Sequence, residues 1–168
     1  MLERFSLSGV LNMQFTVYHI PLLVSSLFSA IIIALLCKRK KTRATTFLTF
    51  FMCSILIWSF ADFFDLLSTD LSTKLFWSNV SYLGVATFSL FLILFVLEYV
   101  GKGEFVNRFN VVLLSIVPII TIILVWTNEY HHLIRQSVFL ENISGIIGLG
   151  KIYGTWFWIN LVYAHITV

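Results

Sequence analysis

Charged residues are scarce in this chain: 11% of its 168 residues are Asp, Glu, Lys or Arg, against about 25% in a typical globular domain. Cysteine and proline each occur only twice. No metal or redox spacing accompanies Cys37 and Cys53, and we expect them to pack as small apolar side chains. A Gly-rich phosphate loop, a nucleophile elbow, an HExxH sequence and kinase catalytic motifs are also missing. The sequence therefore predicts no catalytic site, no cofactor and no metal site.

Long apolar runs dominate what is present, since 59% of the residues are hydrophobic and 17% are aromatic. The run from 76 to 101 is about 39 Å long as a helix, more than the roughly 30 Å hydrocarbon core of a bilayer. Trp77 and Tyr99 stand near its two ends, as aromatic residues do at membrane interfaces. Continuous runs also differ from the alternating pattern of an outer-membrane barrel. The composition predicts a multipass, all-α membrane protein.

Five apolar segments predict a bundle of four complete transmembrane helices and a partial fifth. Pro21 falls in the first turn of the first segment, where its missing N–H is harmless. Pro118 falls inside the fourth segment, and we expect it to bend that helix and to free the Leu114 carbonyl. The last segment is too short to cross a bilayer, so residues 1–168 are expected to form one truncated domain. The predicted spans are residues 15–37, 44–67, 74–100, 110–126 and, incomplete, 155–168.

The positive charges predict how the chain is oriented in the cell membrane. Five of its eleven Lys and Arg residues stand between the first two spans, and loops rich in these residues face the cytoplasm. This rule places the N-terminus and the loop 127–154 outside. The pI near 9.0 consequently indicates membrane topology and not nucleic-acid binding. The five residues of this basic loop are Lys38, Arg39, Lys40, Lys41 and Arg43.

The external loop contains two β-branched or apolar runs, 133–140 and 146–153, on either side of residues 141–145. A polar break that contains glycine between two such runs is typical of a β-hairpin. We expect a short hairpin between the fourth and fifth helices, lying over the outer mouth of the bundle.

Two carboxylates, Asp62 and Asp65, lie near the outer end of the second span and share a helix face. In one interpretation they cap the bundle mouth through hydrogen bonds to Ser or Trp of neighbouring helices. In another they line a ligand or cation pocket, because ionisable groups inside a membrane are costly and often functional. On the third span, helical spacing places Ser78, Tyr82 and Ser89 on one face, the predicted inner face of the bundle.

Asn128 and His131, which follow the fourth span, are further candidates for this pocket. Adjacent His131 and His132 point to different sides and no third ligand has a standard metal spacing, so hydrogen bonding at the interface or a pocket contribution is favoured over metal binding. At the other end of the third span, Glu98 is expected to pair with Lys102, four residues later. The predicted interface anchors are Trp77, Tyr99, Trp126 and Trp156.

Five stretches follow one another between Ala44 and the C-terminus: WSFADFFDLL, LFWSNVSYLG, FVLEYVG, VPIITIILVWTNEYHHLI and YGTWFWINLVY. In order and spacing they resemble the N-terminal seven-transmembrane sensor region of multipass histidine kinases of archaea and bacteria. The resemblance implies seven helices, an external N-terminus, an external hairpin before the fifth helix, and cytoplasmic signalling domains after the bundle. This chain departs from the family at Phe88-Ser89, where a proline is common, and in lacking the later helices and the output domains.

The expected function is that of a membrane-embedded sensor, the signal-input module of a two-component histidine kinase, without its output domains. An unknown small ligand would bind near the candidate pocket and shift the helix packing, because a ligand moves a two-state bundle only by binding one state better. The alternatives are a small multipass transporter or channel subunit, and a gene fragment without independent function. The expected partners are the lipid bilayer, the ligand, and either a second copy or a separate signalling subunit.

Overall fold

The computed structural model describes residues 13–143 and 145–167. These residues form a mostly helical structure with one two-stranded antiparallel sheet, and four of the helices are long and apolar enough to cross a membrane. The predicted external N-terminus and the end of the predicted fifth span at Val168 lie outside the described residues. In chain order the elements are α1 (His19–Cys37), α2 (Arg43–Leu67), α3 (Leu71–Tyr99), α4 (Arg108–Trp126), α5 (Asn128–His131), β1 (Arg135–Ile143), β2 (Ile146–Tyr153) and α6 (Thr155–Thr167).

The central helix is α3, which packs against α2, α4 and α6. Short connections between α1, α2 and α3 make neighbouring helices alternate in direction. We call the end where α2 finishes at Leu67 and α3 begins at Leu71 the hairpin end, because the β-hairpin lies there. The opposite end, where α1 finishes at Cys37 and α2 begins at Arg43, is the basic-loop end.

Small and polar residues are buried in this bundle, while many large apolar residues are exposed. The buried residues of α2 are Ser54, Ser59 and Ala61, whereas Phe60 on the same helix is 50% exposed. On α1 Ser29 is buried and Ile31 is 58% exposed. Membrane helices pack in this way, because lipid solvates large apolar side chains and small residues let backbones approach. The pattern agrees with the predicted membrane class.

Gly84 marks the closest approach of α3 to α2. A Cβ atom at this position would lie 2.8 Å from the Trp58 Cβ and would collide with the Ser54 carbonyl. The Ser54 and Thr87 hydroxyls form a 2.8 Å hydrogen bond across the same interface. The spacing of α2 and α3 therefore depends on a residue without a side chain.

The third helix begins at Leu71, three residues before the predicted start at Lys74. Asp70 is its N-cap and accepts a 3.1 Å hydrogen bond from the Thr73 N–H. Hydrogen bonds from Ser72 and Thr73 hold the pKa of Asp70 below its ordinary value. Residues 71–73, which lie between the predicted second and third spans, are thus the first turn of the helix, because the cap satisfies one of its free N–H groups.

The predicted hairpin is present, but its first strand runs from Arg135 to Ile143 and not from 133 to 140. The prediction of a break at 141–145 was wrong, because Glu141 and Asn142 continue the ladder opposite Gly148 and Ile147. Gly145, which directly precedes the second strand, has a φ of +86°. A glycine suits this position, because other residues seldom adopt a positive φ.

Gln14 ties the hairpin to the end of α2. Its side-chain amide donates to the carbonyls of Leu66 (2.9 Å) and Ile147 (2.7 Å) and accepts from the Ile147 N–H (2.9 Å). One side chain thereby connects the hairpin with the hairpin end of the bundle.

The helix α4 continues through Pro118, which is buried inside it. The Leu114 carbonyl, which proline leaves without its helical partner, accepts a 2.7 Å hydrogen bond from the Tyr163 hydroxyl of α6. Trp156 and Thr121 form a second link between the two helices, with 2.9 Å between the indole Nε1 and the hydroxyl oxygen. These bonds attach α6 to α4.

Candidate functional site

Arg135, the first residue of β1, is buried with 1% of its surface exposed. Its guanidinium donates hydrogen bonds to Asn79 Oδ1 (2.7 Å) and Ser78 Oγ (3.4 Å) of α3. The guanidinium carbon also lies 5.1 Å from the centre of the Tyr82 ring, a cation–π distance. Burial lowers the pKa of Arg135, because the charged form loses its hydration. The hairpin therefore inserts a cation against the face of α3 that was predicted to point inward.

Asn128 holds the backbone that carries this cation. Its Oδ1 accepts hydrogen bonds from the N–H groups of Ile134 and Arg135, each at 3.0 Å. Its Nδ2 donates to the Arg135 carbonyl at 2.9 Å. Asn128 thus positions Arg135, and it does so through the main chain.

Lys151 of β2 brings a second cation to the same place. Its Nζ donates a 2.9 Å hydrogen bond to Ser78 Oγ, so that the Ser78 hydroxyl faces both hairpin cations. Burial also lowers the pKa of Lys151, against the nearby Asp65 carboxylate, which raises it. The two strands of the hairpin each supply one charge to the end of α3.

The carboxylates of α2 face these cations. Lys74 of α3, itself 1% exposed, lies with its Nζ 3.9 Å from Asp65 Oδ1 and donates a 2.6 Å hydrogen bond to the Asp65 carbonyl. Asp62, one turn deeper, has Ser81 and Trp58 as hydrogen-bonding neighbours. Lys151 interacts electrostatically with both carboxylates. We call the five ionisable residues Asp62, Asp65, Lys74, Arg135 and Lys151 the charge cluster.

The structure brings four of the six predicted site residues together, since Asp62 and Asp65 belong to the charge cluster and Ser78 and Tyr82 contact its Arg135. Asn128 adjoins the cluster through the backbone. Of the two partners of Asp62, Ser81 belongs to a neighbouring helix, as the bundle-capping interpretation expected, whereas Trp58 belongs to α2 itself. A role of these residues in binding a ligand stays a prediction.

His131 lies apart from the charge cluster. Its Nε2 is 3.1 Å from the Thr127 hydroxyl and its Nδ1 accepts a 3.0 Å hydrogen bond from the Leu133 N–H. These bonds close the turn between α5 and β1. Over the two described ranges, no group of three His, Cys, Asp or Glu residues is placed to hold a metal ion.

The sequence prediction missed the three cations of the cluster, Lys74, Arg135 and Lys151, together with Asn79 and Ser81. The sequence analysis gave none of these three cations a place in the candidate pocket. A signal for them existed, because two carboxylates inside an apolar segment require compensating charges. What the pattern does not reveal is that residues 135 and 151 fold back onto residue 78.

A cavity of about 290 Å³ opens beside Arg135, between α3, α4 and the start of the hairpin. Asp62, Asp65 and Tyr82 do not line it, and the charge cluster therefore touches the cavity through Arg135. Its wall includes Leu75, Asn79, Val125, Trp126, Asn128 and Arg135.

A family model described as the N-terminal 7TM region of histidine kinase matches residues 21–168. The chain belongs to this family. The match confirms the resemblance that the five sequence stretches indicated, and it covers the sensor region and not a catalytic domain. Neither the curated proteins nor the solved structures contain a match to the chain. The family match and the four membrane-length apolar helices together indicate a membrane protein of histidine-kinase signalling.

At its basic-loop end, the chain carries a different charge pair from the predicted one. Glu98 lies 3.1 Å from the Arg43 Nε and not beside Lys102, so the predicted Glu98–Lys102 pair was wrong. Arg43 also donates to the Val106 carbonyl. The pair therefore joins α2 and α3, where the prediction had kept it within one segment.

The four predicted interface anchors differ in exposure. Tyr99 is 76% and Trp126 is 47% exposed, as a residue in contact with lipid headgroups would be. Trp77 stacks on Phe64 with 4.7 Å between the ring centres. Trp156 packs against the buried cluster of Tyr82, Val125 and Ile134. An anchoring role for all four stays a prediction.

Proposed function

We propose that this chain is the signal-input region of a membrane histidine kinase and that the charge cluster is where the signal acts. The observation that carries the proposal is the way the cluster joins three elements: carboxylates from α2, a lysine from α3 and two cations from the hairpin. Anything that changes the balance of these charges changes how the hairpin and the two helices fit together. A link whose geometry depends on the balance of charges can have two arrangements that a signal binds with different affinity, which is what a sensor requires.

The pair of helices α2 and α3 offers the route from the hairpin end to the other end of the bundle. Both helices are rigid rods of about 37 and 43 Å, and they touch closely at Gly84. At the basic-loop end, the Arg43–Glu98 pair joins the same two helices. A rearrangement of the charge cluster is thereby expected to appear as a small shift of α2 against α3 at the far end.

The test measures the distance between α2 and α3 at the basic-loop end by electron paramagnetic resonance. Spin labels are attached to the exposed positions of Thr46→Cys and Val96→Cys, in the full chain in lipid nanodiscs, with Cys37→Ala and Cys53→Ala as background. With Asp65→Asn, we expect the distance distribution to move by about 1–2 Å, the usual size of a helix shift.

Asp70→Asn is the matched control, because Asp70 also carries a carboxylate at the hairpin end but only caps α3. It should leave the distance unchanged. If Asp65→Asn also leaves the distance unchanged in a folded protein, the cluster does not communicate with the far end and the proposal fails.

The proposal includes an orientation, with the hairpin outside the cell and the basic loop inside. It is supported by the five basic residues between α1 and α2 and the positive-inside rule. Single cysteines at the hairpin tip (Asn142→Cys) and in the basic loop (Lys40→Cys), in the same cysteine-free background, test it. A membrane-impermeant maleimide added to intact cells should label Asn142→Cys alone, and the reverse labelling would contradict the orientation.

The output of such a module would come from a kinase joined to it or from a separate subunit, and the chain alone is expected to transfer no phosphate. Incubation of the purified chain with radiolabelled ATP checks this, and a labelled protein band would overturn it. Asp62 lies five residues from the end of α2, about 7.5 Å along its axis. This position near a helix end does not favour a transporter, which places such groups at the midplane.

A further inference from the structure

The cavity beside Arg135 has two unlike sides. One side is apolar and comes from Leu75 of α3 with Val125 and Trp126 of α4. The other side is polar and comes from Asn79, Asn128 and Arg135. A concave site with an apolar wall and a few convergent polar groups is the usual form of a small-molecule site. At about 290 Å³, it has room for about ten non-hydrogen atoms, taking roughly 30 Å³ for each.

The charge of the polar side favours an anion. Three cations and two carboxylates make up the charge cluster, so one positive charge has no acidic partner within it. Arg135 is the member of the cluster that reaches the cavity. Its side chain bonds to Asn79, Ser78 and Tyr82, while its buried Nε has no hydrogen-bond partner in the described part of the chain. A guanidinium has five N–H donors, so these partners do not use up its hydrogen-bonding capacity.

We infer that this cavity binds a small organic carboxylate with an apolar body of about ten non-hydrogen atoms. The carboxylate meets the Arg135 guanidinium at the floor, and the apolar body packs against Leu75, Val125 and Trp126. Such a ligand adds the negative charge that the cluster lacks, and its apolar body covers the apolar side of the cavity. The inference names the ligand class for the proposed signal site and in that sense rests on the proposed function.

Glu129 sharpens the choice between a carboxylate and a zwitterion. It lines the cavity and is exposed, so that it stands at the rim. For a ligand with net negative charge, Glu129 is repulsive, and its removal strengthens binding. For an amino acid, Glu129 would hold the ammonium group, and its removal would weaken binding.

The experiment is calorimetric titration of the full chain in lipid nanodiscs with benzoate, benzamide and benzylamine, which share one ring and differ in charge. Benzoate is expected to bind with a dissociation constant in the millimolar range or below, as small ligands do when the binding free energy per non-hydrogen atom is high. Benzamide should bind at least about tenfold more weakly, because it lacks the charge that a guanidinium pairs with. Benzylamine should give no heat of binding.

Four variants locate the binding. Arg135→Gln and Ser137→Trp are each expected to weaken benzoate at least about tenfold, the first by removing the charge and the second by filling the cavity that Ser137 lines. Leu140→Trp is the matched control for Ser137→Trp, because it adds the same side chain at an exposed position of β1 away from the cavity. Glu129→Gln should tighten benzoate about two- to fivefold.

Arg135→Gln is expected to destabilise the protein, and Ser137→Trp, at an exposed residue, keeps the test decisive. The inference is overturned if benzoate at about 10 mM does not bind the folded chain, or if benzamide binds as tightly as benzoate. It is also overturned if Ser137→Trp leaves benzoate binding intact, or if Glu129→Gln weakens it. These readouts report binding alone. A failure here leaves the α2–α3 distance test of the proposed function standing, and the two results are therefore separable.

Discussion

At the hairpin end of α2 and α3, the Lys74 and Arg135 side chains are each 1% exposed, whereas at the basic-loop end the Arg43 side chain is 59% exposed. Both ends join the same two helices through opposite charges. At the hairpin end the cations contact serine, asparagine and tyrosine side chains, and the Asp65 side chain is 21% exposed. At the other end one ion pair spans the helices, with Glu98 at 13% exposure.

The difference in burial predicts a different free-energy cost for removing a charge at each end. A buried ion pair has lost most of its hydration, so the removal of one partner leaves an uncompensated charge at high cost. A pair with one partner largely in solvent, such as Arg43 with Glu98, gains less from its attraction and loses less when that partner is removed. We therefore expect the hairpin end to respond strongly to a change of charge and the basic-loop end to follow the helices with little resistance.

The largest effect is expected for Lys74→Met, which keeps the side-chain volume and removes the cation beside Asp65. The free energy of unfolding should fall by about 3 kcal/mol, the lower end of the usual cost of breaking a buried pair, because Lys151 still faces the Asp65 carboxylate. Unfolding by sodium dodecyl sulfate in bicelles measures it. Adding Asp65→Asn to the same chain should recover much of the loss, and a simple sum of the two single losses would show that the pair is not coupled.

A middle-sized effect that reaches both ends is expected for Gly84→Ala. The new methyl group would lie 2.8 Å from the Trp58 Cβ, and overpacking of this kind costs about 1–3 kcal/mol. The helices must separate, so spin-label distances should change at the hairpin end and at the basic-loop end together. Gly148→Ala is the matched control, since its Cβ would come no nearer than 3.8 Å to another residue. A change confined to one end would mean that the two helices do not move as whole rigid rods.

A small effect is expected for Arg43→Met at the basic-loop end. The free energy of unfolding should fall by about 1 kcal/mol, because the arginine itself is largely solvated, although the Glu98 carboxylate that loses its cation is 13% exposed. The same bicelle assay compares it with Lys40→Met, an exposed lysine of the same loop that should be neutral. A loss as large as that of Lys74→Met would remove the contrast between the two ends.

The smallest expected effect is the pH dependence of the stability that Asp70 contributes. Asp70 lies at the hairpin end but outside the charge cluster. Its folded pKa is lowered, chiefly by the Ser72 hydroxyl and the Thr73 N–H. Its contribution to stability is therefore complete above the ordinary value of 3.8 and disappears as the pH falls through the lower folded pKa. Because Asp70 is exposed, we expect about 0.5 kcal/mol or less.

The comparison of wild type with Asp70→Asn between pH 6 and pH 2.5 isolates this contribution from those of other carboxylates. The two stability curves should converge at the acid end, since the protonated cap and the amide are then both neutral. A difference that grows as the pH falls would mean that the sign is wrong.

The helices and the hairpin could be predicted because each depends on a local pattern. Apolar runs long enough to span a bilayer gave α2 and α4 within two residues of their observed ends. The start of α3 was missed because a single cap, Asp70, turns polar residues into a first helical turn. The strand end was missed because the polarity of Glu141 suggested a break that the ladder does not make.

The candidate site was only half predictable, for a physical reason. Asp62, Asp65 and Tyr82 stand out as polar residues in apolar segments, and their helical spacing shows which face they share. Arg135 and Lys151 stand in a polar loop, where a charge is ordinary. Their contacts with Ser78 close chain separations of 57 and 73 residues, and no local pattern encodes such a contact.

The bond between Tyr163 and the Leu114 carbonyl has a consequence for how the chain is made. Synthesis from the N-terminus completes α4 well before Tyr163 exists, and Pro118 has already removed the helical partner of that carbonyl. A backbone group without a partner is expensive in hydrocarbon. We therefore expect the Leu114 carbonyl of α4 to need another hydrogen-bond donor during synthesis, until α6 packs against α4 and Tyr163 takes that place.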